Sequence, residues 1–155
     1  NLASLKLAIF KPVMRWVVSW LLNTKSMHTE LQEFAISKDV SHVEVAAVNY
    51  DQWILTVALR LYSTSDQTVS GMVHVIFDEP EGFRVLHEDA MLRFPWPKPS
   101  ESRSFVHKVG SGGWLEMEQK AGNIHLPDGA SEYIIVTNNE CVSVIAYADP
   151  QRVAG

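Results

Sequence analysis

Six histidines, at positions 28, 42, 74, 87, 107 and 125, are the side chains best suited to move protons near neutral pH or to ligate a metal. A metal needs three or four ligands converging at about 2.0–2.3 Å. No two of these histidines stand one residue apart, which would place both on one strand face, and no His-Glu-x-x-His occurs. We therefore expect no metal and no cofactor. His74 alternates with Val73, Val75 and Phe77, so it faces away from their apolar side or lines a cavity. His107 shares strand phase with Phe105 and Val109. His87-Glu88-Asp89 is a polar cluster that could meet a cation. Asp78-Glu79-Pro80-Glu81 could do acid–base work only if one carboxyl were buried; beside a Pro-Gly turn these residues read as solvated.

Nucleophiles are scarcer. Cys141 sits inside an apolar run and reads as a small buried hydrophobe. As the single cysteine, it also excludes an intramolecular disulfide. No Gly-x-Ser-x-Gly elbow is present, and Gly110-Ser-Gly-Gly113 lacks the lysine and spacing of a phosphate loop. Two tryptophans are more suggestive. Trp96 lies in the Pro-rich run Phe94–Ser100, and Trp114 follows Gly112-Gly113. Loop tryptophans can serve as ligand platforms. Trp96, Trp114, His74 and His107 are thus the candidate ligand-binding residues, with no catalytic set.

The elements that must position them follow from patterning. The chain has 155 residues, 46% apolar and 20% charged, with a formal charge of −5. That suits one soluble domain over 1–155 and argues against nucleic acid, which needs a cationic face. Trp53, Leu55, Val57, Leu59 and Leu61 alternate with Ile54, Thr56, Ala58, Arg60 and Tyr62, a strand with one buried face. Val43–Tyr50 precedes it across a short polar connection, so the two should pair. Further strands are expected at Met72–Phe77, Phe83–Leu86, Ala90–Phe94, Ser104–Val109, Trp114–Gln119, Tyr133–Thr137 and Cys141–Tyr147. The last two flank Asn138-Asn139, a turn pair tolerant of positive φ. Ile135 should then oppose Val142, with Tyr133 against Val144 and Val136 against Cys141. Both faces of this hairpin are apolar, which places it centrally.

Residues 1–26 differ. Residues 1–29 hold Lys6, Lys11, Arg15 and Lys25 and no acid. Val13, Trp16, Val17, Trp20 and Leu21 follow helical spacing, with Met14, Val18 and Leu22 as a second apolar row. Lys11, Pro12 and Arg15 break the run a spanning helix would need, and one arginine is a poor polar face for membrane-surface attachment. Met27 opens a stretch that reads as a soluble start, so the segment could precede the native one. A second short helix is expected from Thr29 and Gln32, which have capping-box spacing.

The reading is therefore mainly β (α+β). An antiparallel β-sandwich or flattened barrel of about eight strands spans 42–148, with one or two N-terminal helices packed on it. We expect a cytoplasmic, acidic homodimer joined through Met14, Val18 and Leu22. Its expected function is a non-catalytic binding module for a protein or small molecule. The alternatives are a small hydrolase or isomerase using His and carboxylate groups in a sheet cavity, or peripheral membrane association through residues 1–25.

Overall fold

The computed structural model describes residues 27–87 and 102–155. Trp96, the row Met14, Val18 and Leu22, the N-terminal helix and the Ala90–Phe94 run all lie outside the described residues.

The described chain is mainly antiparallel β, in two sheets. Nine strands run in order: β1 (Met27–Glu30), β2 (Val40–Asp51), β3 (Ile54–Ser63), β4 (Val69–Asp78), β5 (Gly82–His87), β6 (Val106–Ser111), β7 (Ser131–Val136), β8 (Glu140–Ala146) and β9 (Gln151–Ala154). The helix α1 (Trp114–Ala121) lies between β6 and β7. One sheet has the order β1-β6-β7-β8-β5, the other β2-β3-β4-β9.

The alternation read from the sequence sets the core. Leu55, Val57 and Leu59 of β3, with Val73, Val75 and Phe77 of β4, are buried together with Tyr133, Ile135, Val142 and Val144 of the other sheet. Fully burying such a side chain is worth about 1.5–3 kcal/mol. The β7–β8 hairpin pairs in the expected register, Ile135 with Val142, Tyr133 with Val144 and Val136 with Cys141. Its other face buries Ile134, Val136 and Cys141 in a second cluster. β7 and β8 are interior strands of their sheet.

The turn of that hairpin works differently from the expectation. Neither Asn138 nor Asn139 has positive φ. Their side chains instead bind the open edge of β2. Val43 N–H donates to Asn138 Oδ1 at 3.0 Å, and Val45 N–H donates to Asn139 Oδ1 at 2.9 Å. Asn139 Nδ2 returns a bond to the Val45 carbonyl at 3.2 Å. An edge strand otherwise presents unpaired backbone groups, and these asparagines satisfy four of them together with the Asn138 amide, which donates to the Val43 carbonyl.

Three expectations need correction. Trp114–Gln119 is helical, not extended. Gly112 and Gly113 break the strand, the pairs Trp114–Glu118 and Glu116–Lys120 bond at helical spacing, and Gly122 caps the end at φ 75°. The capping-box stretch forms β1 and then a single 3-10 turn, Gln32–Phe34, with no side-chain cap. Trp53 belongs to the β2–β3 turn, not to the buried face of β3.

Candidate functional site

His107 of β6 is fully buried, on the sheet face shared with Val109 and turned away from the interlayer core. Its Nε2 lies 3.1 Å from the Ser104 carbonyl and 3.0 Å from Ser102 Oγ. A carbonyl only accepts, so Nε2 carries the proton. Ser102 Oγ then accepts from the ring, and its single proton faces two acceptors, the Ser104 carbonyl at 2.5 Å and Glu30 Oε1 at 3.1 Å. A base-activated serine requires the opposite, a ring nitrogen free to take the serine proton. The cluster ties β1 to the residues before β6, since Glu30 Oε1 accepts from both Ser102 Oγ and the Arg103 N–H. Burial, with His28 edge-on at 5.0 Å, keeps the imidazole pKa below its ordinary value. Glu30 is held ionised chiefly by the Arg103 amide.

His74 is half-buried on the outer side of the second sheet, between Ala58 and Val153 in register. Among the described residues no three His, Cys, Asp or Glu side chains converge on a metal position. Cys141 is buried and its thiol is pushed up to about 12, which makes it inert at neutral pH.

Trp114 opens α1 as a half-buried strut. Its Nε1–H donates to Glu118 at 3.1 Å, and the Arg84 guanidinium stacks 4.7 Å from the ring centroid. Below it, Glu132 Oε2 accepts the Leu115 N–H at 2.9 Å, the favourable place for a carboxylate at a helix N-terminus. Position 113 must be glycine, because a Cβ there would fall 2.2 Å from that oxygen. Burial raises the Glu132 pKa. An adjoining cleft of about 470 Å³ is lined by Thr29, Lys108, Ser111, Gly113, Glu116 and Glu132. Both oxygens of Glu132 are shielded, so the polar groups that the cleft meets are mainly the hydroxyls of Thr29, Ser111 and Ser131 with Lys108 and Glu116.

The residue that sequence reasoning missed is Trp53. It is 70% exposed, the most exposed large apolar side chain among the described residues. Gln52 and Trp53 have φ of 47° and 71°, the left-handed pair that a tight hairpin turn demands and that Asn-Gly normally supplies. L-residues adopt that region at a cost of about 1–2 kcal/mol each. Glu79, in the adjacent β4–β5 turn, has φ 46° as well. Tyr50, at 44% exposure, pairs with Leu55 and so faces the interlayer side, whereas Ile54 pairs with Asp51 on the outer face; both are exposed. The Tyr50 ring meets that of Phe83 at 5.7 Å. Phe83 and Val85 pair with the core residues Val144 and Val142, so they lie at the open rim of the interlayer core, and both are exposed. The available signal was a tryptophan immediately following the polar stretch Tyr50-Asp51-Gln52, where a turn was already expected.

No protein-family model, no curated protein and no solved structure matches this chain.

Proposed function

We propose that this protein is a non-catalytic binding module, a β-sandwich that docks another protein through the exposed Trp53 of the β2–β3 turn and the neighbouring rim residues Tyr50, Phe83 and Val85. The observation that carries the reading is Trp53. A tryptophan presented to solvent on a backbone that glycine or asparagine would hold more cheaply has no stabilising rationale. Tryptophan and tyrosine are the residues most often found as interface anchors, and clustered exposed apolar groups mark interaction sites. The packed layer between the sheets also favours surface docking over catalysis in a sheet cavity. The Ser104 carbonyl beside His107 Nε2 supports the same reading, since a ring nitrogen that donates there does not take the Ser102 proton.

The test is selection of a random displayed peptide library on the wild-type protein, followed by binding of the selected peptides to Trp53→Gly. The reading expects selected peptides that lose the variant, with the far-UV spectrum and melting cooperativity of the variant unchanged. Peptides that bind both proteins equally, or no enrichment at all, would overturn it.

A further inference from the structure

Four acids frame the exposed aromatics. Asp51 closes β2, and Asp78, Glu79 and Glu81 occupy the β4–β5 connection; all four are exposed. The two turns are joined, because Glu79 N–H donates to the Trp53 carbonyl at 2.8 Å. Residues 49–54 and 76–83 contain no lysine or arginine. The next base, Arg84, is turned to the opposite face of β5, where it stacks on Trp114. This end of the molecule is thus at once aromatic and anionic.

We infer that the occupant of this surface is an arginine-bearing segment of a partner protein, an inference that rests on the docking reading above. A cation over an indole face is held by the ring quadrupole, most strongly for tryptophan. Arginine fits better than lysine, since its planar guanidinium stacks on the ring while its edge bonds a carboxylate. Apolar neighbours in the same segment would cover Tyr50 and Phe83, whose rings meet at 5.7 Å. The four carboxylates repel the phosphates of nucleic acids and anionic lipids, so those partners are disfavoured.

Isothermal titration with a synthetic peptide alternating arginine and leucine tests this, beside the same peptide with every arginine replaced by the isosteric, neutral citrulline. The arginine peptide is expected to bind wild type at least about tenfold more tightly than the citrulline peptide, with an affinity that falls as salt rises. Binding should be lost with Trp53→Gly, and weakened to the citrulline level in the variant carrying D51N, D78N, E79Q and E81Q. Thermal melts confirm that both variants remain folded. Equal, Trp53-dependent binding of the two peptides would overturn the arginine inference and leave the docking surface standing. Absence of any Trp53-dependent binding would overturn both.

Discussion

The main-chain N–H of Glu79 donates to the carbonyl of Trp53 at 2.8 Å, tying together two turns whose residues both have left-handed φ. Joined, they hold the indole out from the end of the two sheets. The scaffold behind them is rigid, because β3 continues from Trp53 directly into the buried residues Leu55, Val57 and Leu59.

That arrangement predicts a trade between stability and binding. Trp53→Gly removes the steric cost of φ 71° and gives up little buried area. The melting temperature should rise by about 2–4 °C, the scale of 1 kcal/mol in a domain of this size. A fall in melting temperature, read by calorimetry, would show that the indole is there to pack.

Asn139 should matter to stability more than its half-buried position suggests. Its amide accepts the Val45 N–H and donates to the Val45 carbonyl across the sheet edge. Asn139→Ala should cost about 1–3 kcal/mol, since two backbone groups lose their partners. Asn138→Ala removes one such bond and should cost less. Urea denaturation of both variants measures the order, and equal small losses would mean that water replaces the asparagines without penalty.

His107 should leave a signature in the pH dependence of stability. Its folded pKa lies below the ordinary 6.5, because burial and His28 disfavour the imidazolium. The unfolded chain therefore binds a proton that the folded chain refuses. The stability contributed by the neutral ring is complete above about pH 6.5 and is lost as pH falls from there through the folded value. Melting temperatures of wild type and His107→Gln, compared between pH 7.5 and 5, should converge towards acid. Parallel curves would contradict the assignment.

Ile135 and Val142 face each other at the centre of the core, both fully buried. Replacing either with Asp should cost at least about 3–5 kcal/mol, the scale of an uncompensated buried charge. Circular dichroism should show an unfolded or molten chain. A melting temperature within about 2 °C of wild type would contradict the core assignment.

The strands were legible where one physical constraint acted alone. Leu55-Val57-Leu59 and the pairing of Ile135 with Val142 follow from alternation and chain reversal, which act locally. The Asn138-Asn139 turn was legible in place but not in mechanism, because the groups it satisfies belong to β2, more than ninety residues earlier. The helix α1 was hidden by an apolar–acidic alternation, Trp114 to Glu118, that also fits a strand; the glycines before it and Gly122 after it were the better signal. Trp53 was read as the first buried residue of β3 because its phase matches Leu55. Phase says nothing once the backbone enters the left-handed region, and that is set by how short the connection is. His107 is a candidate ligand-binding residue by sequence, and its partners Ser102 and Ser104 come from a local bend that spacing does not reveal.

The central claim is that the Trp53 end is where this protein docks. The five tryptophans each give an indole N–H signal, and Trp53→Gly identifies the one from residue 53. Titration of the 15N-labelled protein with a library-selected peptide should move that signal and the amides of Tyr50, Ile54, Glu79 and Phe83, in a saturable manner. Shifts confined to Ser111, Gly113 and the Trp114 indole, with the Trp53 signal unmoved, would place the binding site in the cleft beside α1 and contradict the account.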